Sequence, residues 1–170
     1  MKRHFLEILE VQHLRNGEVI WENKNILNTF HVEGELFVLS SLLRTSGDIS
    51  VPSFYYLGLD NRTTLSVADN MAGISTEPSG NGYSRQPVSS STGFTIEEFV
   101  SSVDSLSHWR AKSTIVSFSA SGGSWGPVSN VFMTTELNNT GYLISSASLG
   151  VTRTLTSGDS FNLRFALRLI

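Results

Sequence analysis

The last stretch of the chain constrains the fold more than any other. Phe161, Leu163, Phe165, Leu167 and Leu169 alternate with Asn162, Arg164, Ala166 and Arg168. Successive side chains of a strand point to opposite faces, so this pattern predicts a strand with one apolar and one polar face. Ser157-Gly158-Asp159 supplies a tight turn before it. A strand of this quality is expected to close a compact β unit with no tail, anchor or linker after it. Function is then expected from a surface, because no group of residues reads as catalytic machinery.

The 170 residues suffice for one domain with a real core. Only 16% are charged, the net charge is −3, and Ser, Thr and Gly supply much of the remaining polarity. That balance suits an all-β protein and disfavours a helix bundle, whose exposed faces want Lys and Glu. No basic excess exists to hold phosphates, so nucleic acid is not an expected partner. Cysteine is absent, which excludes disulfides and thiolate zinc sites. Met1-Lys2-Arg3-His4 is basic but lacks the apolar run of a signal peptide, and no stretch is long enough to cross a bilayer.

Residues 4–14 and 18–23 read as two strands around Arg15-Asn16-Gly17-Glu18, since Asn-Gly suits the positive φ values of a type I′ hairpin turn. Apolar residues fall on both parities of this ribbon: Leu6 and Ile8 on one, Phe5, Leu9 and Val11 on the other, with Val19, Ile20 and Trp21 on the return strand. Such a ribbon must be covered on both sides or touch a partner. Phe5, Ile8, Val11, Ile20 and Trp21 are therefore the candidate protein-interface residues.

A helix is expected from about Phe30 to Leu43, capped by Asn28 or Thr29, with Glu33 and Glu35 favoured by the helix dipole in its early turns. Its apolar stripe is read as Phe30, Phe37, Leu36, Leu39 and Leu43, and Thr45-Ser46-Gly47-Asp48 stops it. Strands follow at Ser53–Leu59, at Tyr83–Val88 (an edge, given Pro87), and at Thr114–Ser119, Asn130–Leu137 and Tyr142–Leu149. Leu65–Met71 fits one helical turn. Several short strands at this spacing predict a β-sandwich or jelly roll.

The chemical motifs in the sequence are weak. Gly122-Gly123-Ser124-Trp125-Gly126 matches the nucleophile-elbow pattern, but strand-like sequence follows it and no histidine lies beyond His108. Gly80-Asn81-Gly82 lacks the remainder of a dinucleotide fingerprint. His4, His13, His31 and His108 share no metal-ligand spacing and read as surface or capping residues. Asp48, Asp60, Asp69, Asp104 and Asp159 each stand beside turn residues, where local backbone bonding selects aspartate. Glu97 and Glu98, adjacent on a strand, point to opposite faces. Trp109, Trp125, Phe54, Tyr55, Tyr56 and Tyr83 suit a core or a subunit contact, with a sugar-stacking platform as the alternative. No catalytic residue, cofactor or metal is expected.

The order of segments carries a resemblance. A helix near the start precedes Phe54-Tyr55-Tyr56-Leu57-Gly58-Leu59-Asp60, then Leu65-Ser66-Val67-Ala68-Asp69 and Gly82-Tyr83-Ser84-Arg85. Val116 through Val128 follows, and then Ser157-Gly158-Asp159 with its alternating strand. Across roughly residues 25–170 this resembles small tailed-bacteriophage virion structural proteins, capsid decoration (cement) proteins or tail- and fibre-associated ones. The resemblance implies a mainly β fold: a jelly-roll-like antiparallel β-sandwich over 25–170, with one helix near the N-terminus. The β-hairpin over 1–24 departs from the pattern and is expected to act as an arm. The implied function is non-enzymatic. It is a decoration protein bound to the major capsid protein as a homo-oligomer such as a trimer, made in the host cytoplasm and residing in the virion. The alternatives are a tail, baseplate or head-fibre protein, and, from another class, a host-glycan-binding module.

Overall fold

The computed structural model describes residues 6–43, 49–62, 65–100 and 105–168. Eleven strands are found among them: β1 (Leu6–Arg15), β2 (Glu18–Leu27), β3 (Thr29–Phe30), β4 (Phe54–Asp60), β5 (Gln86–Ser89), β6 (Phe94–Val100), β7 (Ser107–Ser113), β8 (Val116–Ser119), β9 (Trp125–Thr134), β10 (Leu143–Leu155) and β11 (Asp159–Arg168). Helix α1 spans Val32–Leu43, and a 3-10 turn covers Met71–Gly73. One sheet has the order β2-β1-β11-β7-β6, with β8 also pairing with β11. The other has the order β3-β10-β9-β4-β5. All pairings are antiparallel, and the two inner faces enclose one main core. The expected mainly β sandwich with one α-helix and an N-terminal hairpin is the fold observed.

The hairpin turn forms as its sequence predicts, with φ of 52° at Asn16 and 81° at Gly17. The reading of β1 as apolar on both faces is corrected by a β-bulge. The register with β11 shifts between Ile8 and Glu10, so Ile8 opposes Phe165 while Val11 opposes Leu163 and His13 opposes Phe161. One extra residue reverses the parity of everything after it. Even-numbered Ile8 and odd-numbered Val11 thus reach the same core, at 1% and 0% exposure. Ile8 and Val11 share one buried face, while Glu7 is buried on the opposite face beside Arg168.

β11 is as patterned as expected at Phe161, Leu163 and Phe165, all buried, against half-buried Asn162 and Arg164. Arg168, read as facing water, is buried instead. Its guanidinium lies 3.5 Å from Glu7 and 5.5 Å from the centroid of Phe99, a ring also covered by Arg110 at 4.9 Å. Strands β6 and β7 are additions to the sequence reading. Glu97 of β6 pairs with Lys112 and Arg110 of β7, which hold its carboxyl below the usual range, while Glu98 accepts from Ser107 Oγ on the other face.

Helix α1 begins two residues later than predicted, because Thr29 and Phe30 pair with Ser146 and Ser145 of β10. It docks through Gly34 and Phe37. Glu33 Oε2 accepts from the Leu143 and Met71 amides at 2.8 Å each, tying the helix to β10 and to the 3-10 turn. Gly34 sits directly on β10, and a Cβ there would strike the Ile144 carbonyl oxygen, lie 2.9 Å from Ile144 Cα and lie 2.8 Å from the Phe30 ring. Alanine gains helix propensity of about 1 kcal/mol, but backbone cannot yield to the new methyl. Gly34→Ala is expected to destabilise by about 2 kcal/mol net, lowering Tm by roughly 4–8 °C in a thermal melt.

Phe5, His4, the Thr45-Ser46-Gly47-Asp48 stop signal, Asp104 and Leu169 lie outside the described residues.

Candidate functional site

Two groups of exposed apolar residues stand out among the described residues. On helix α1, Val32, Leu36, Leu39, Leu42 and Leu43 are each 53–73% exposed. At 100° per residue, Val32, Leu36, Leu39 and Leu43 lie on the side of the helix turned away from the docked Gly34 and Phe37. The predicted stripe of Phe30, Phe37, Leu36, Leu39 and Leu43 is thus split, because the small Gly34 rather than the leucines is what allows close approach to β10. Val67, 52% exposed, adjoins the outer stripe, its carbonyl accepting from the Val32 amide at 3.2 Å.

The second face is on the β6–β7 ribbon. Trp109 opposes Glu98, so it stands diagonally between Ile96 and Val100 on one face of the pair, and all three are at least 65% exposed. Two residues before Ile96 on the same face, Phe94 enters an aromatic chain. Phe165, Phe94, Tyr55 and Phe37 have successive centroid separations of 5.6, 6.3 and 6.2 Å. The chain of rings links the docked face of α1 to the start of β6 through Tyr55 of β4.

The residues expected at an interface distribute differently. Ile8 and Val11 are core. Ile20 is exposed on β2, the sheet edge. Trp21 is half-buried, edge-on to Phe161 at 6.2 Å and under the Arg153 guanidinium at 5.3 Å. The structure brings neither pair together as a surface patch.

Beneath Trp21 lies a buried polar cluster. His13 is 1% exposed and stacks on Phe161, with centroids 5.3 Å apart. Arg153 Nη2 lies 3.1 Å from His13 Nδ1, and a guanidinium can only donate, so Nδ1 accepts and the proton sits on Nε2. Nε2 donates to Asp159 Oδ2 at 3.0 Å. Asp159 also accepts from Arg15 Nε at 2.9 Å and Nη2 at 2.8 Å and from the Thr156 amide at 2.8 Å. The Arg15 guanidinium, before the other donors, holds the Asp159 carboxyl well below the usual carboxylate range despite burial. The histidine and aspartate resemble a catalytic pair in chemistry, but both are sealed from solvent and bonded on every side, so they join β1, β10 and β11. His31 is likewise buried, its Nε2 2.8 Å from Ser146 Oγ, and burial pushes its pKa down. The reading of these two histidines as surface or capping residues is corrected: their partners lie 146 and 115 residues away in sequence.

The six aromatic candidates do not make one platform. Trp125 is buried and donates from Nε1 to the Asn81 carbonyl at 3.0 Å. Tyr83 stacks on Phe118, and burial raises its phenol pKa strongly. Phe54 and Trp109 remain exposed, on different sheets. A shallow groove lined by Phe54, Tyr56, Ser84, Arg85, Pro87 and Leu137 offers no free cation. All five Arg85 N–H groups are taken by Glu77, the Glu136 and Asn138 carbonyls and Asn139. Ser124 of the glycine-rich stretch sits in the turn leading into β9, its carbonyl accepting from Asn81 at 3.1 Å. Among the described residues no three His, Asp or Glu side chains cluster to hold a metal, and no helix is long and apolar enough to cross a membrane.

Comparison with known proteins places this surface in context. No curated protein matches the chain. A family model described as "Podophage GP4 fiber I protein gp80" matches residues 38–167, from the second half of α1 to the end of β11. The match covers most of the chain and omits β1 to β3. It agrees with the phage virion resemblance and favours the fibre alternative over the decoration one. The chain belongs to this podophage fibre protein family and is a phage structural protein.

Proposed function

We propose that the chain is a subunit of a podophage virion fibre, working without catalysis by packing against other virion proteins. The observation that carries this reading is the family match over residues 38–167. The surface supports it: large apolar side chains left exposed, the leucines of α1 and Trp109 among them, are costly in a free monomer and suit permanent assembly. Repeated modest contacts then hold the particle together through effective concentration rather than through a single strong site. Decoration of the capsid shell, bound to the major capsid protein, has no support beyond the general virion resemblance. Gold-labelled antibody against the purified chain is expected to mark fibres on intact particles. Label spread evenly over the head would overturn the fibre reading in favour of decoration.

A further inference from the structure

We infer that the outer face of helix α1 is a self-association seam, whose occupant is the same helix of another copy of this chain. The inference goes beyond the fibre reading and does not depend on it.

Val32, Leu36, Leu39 and Leu43 follow one another at spacings of four, three and four residues, the d-a-d-a register of a heptad. That spacing makes a straight ridge on a helix, and such a ridge is complementary to another copy of itself through knobs-into-holes packing. The opposite face is already used, by Gly34 and Phe37 against β10. A helix apolar on both faces belongs in an interior, and this one is interior on one side only. Its only charges, Glu33 and Glu35, lie in the first turn, off the ridge, and Glu33 is spent on the Met71 and Leu143 amides. Nothing polar interrupts the ridge.

The area is adequate for a second copy. Val32, Leu36, Leu39, Leu43 and neighbouring Val67 are each between half and three-quarters exposed. Together they present on the order of 500 Å² of apolar surface, toward the top of what a monomer leaves open. Two such faces would bury about 1,000 Å², the size a specific interface must clear. A heterologous partner would need a matching groove of its own, whereas the heptad ridge is its own match under rotational symmetry.

The test uses the purified full chain in light scattering coupled to size exclusion, beside Leu36→Glu/Leu39→Glu. Both residues are exposed and face away from β10, so the far-ultraviolet spectrum is expected to be unchanged. The wild-type chain is expected to run as a closed oligomer at micromolar concentration and the double variant as a monomer, with dissociation strengthened at least 100-fold. Because the chain has no cysteine, Leu39→Cys adds a direct reading. Residue 39 is near the middle of the ridge, so mild oxidation is expected to give a disulfide dimer whichever way the helices run. A monomeric wild-type chain at high concentration would overturn the inference and point to a different protein on this face. An oligomer that survives the double substitution, without cross-linking at residue 39, would overturn it in favour of another surface.

Discussion

Removing residues 1–24 is expected to abolish folding rather than to release an arm. β1 pairs with β11 from Leu6↔Leu167 to Arg15↔Asp159, in the interior of its sheet. Ile8 and Val11 are core residues, each contributing about 1.5–3 kcal/mol by burial. Truncation also removes His13 and Arg15 from Asp159 and bares the edge of β11 to water and to other chains. Together these losses are comparable with the whole ~5–15 kcal/mol that holds a domain folded. The measurement is a thermal melt of the 25–170 fragment beside the full chain, followed by near-ultraviolet circular dichroism. The fragment is expected to show no cooperative transition. A sharp melt near that of the full chain would establish the hairpin as a separable arm.

Asp159→Ala is the point substitution with the largest expected cost, about 3 kcal/mol or a Tm drop of roughly 6–12 °C. It leaves the buried His13 Nε2–H and the Thr156 amide without an acceptor, while Arg15, half-exposed, recovers water and softens the loss. The same residue sets a pH dependence whose sign follows from its depressed pKa. Its contribution is fully present above the ordinary carboxylate pKa of about 4 and is lost as pH falls below it through the folded value. Glu97, also lowered, acts in the same direction at the surface. Denaturant titrations between pH 3 and 7 are expected to show the wild-type chain losing stability below about pH 4 and Asp159→Asn losing distinctly less. Parallel curves for the two proteins would contradict the assignment.

The sequence made local features legible and hid those that depend on distant partners. Asn16-Gly17 encodes its turn in two residues, and Phe161, Leu163 and Phe165 announce the buried face of β11 by parity alone. The bulge after Ile8 has no such signature, since it appears only in the register against β11, and without it β1 looks apolar on both faces. Strands β6 and β7 escaped because Glu98 interrupts the alternation of Phe94, Ile96 and Val100, and their cross-strand contacts, Glu97 with Arg110 and Lys112, join polar residues. The helix was legible in extent but not in orientation. Five bulky residues suggested its docked face, whereas Gly34, the residue with no side chain, decides it by allowing contact with Ile144. His13 and His31 looked like surface residues for the same reason, as their partners come from β11 and β10.

The interface candidates follow this pattern. A two-faced ribbon was a sound reason to look at Phe5, Ile8, Val11, Ile20 and Trp21, and the bulge removes that reason for Ile8 and Val11. The apolar groups that the fold leaves open among the described residues include the outer ridge of α1 and the Ile96, Val100 and Trp109 face.

The fibre assignment is tested most directly by the copy number of this chain in purified particles, measured by quantitative mass spectrometry against the major capsid protein. A fibre subunit is expected in a small number of copies per particle, a minor fraction of the capsid protein. A copy number comparable to that of the capsid protein would contradict the fibre account and place the chain on the shell.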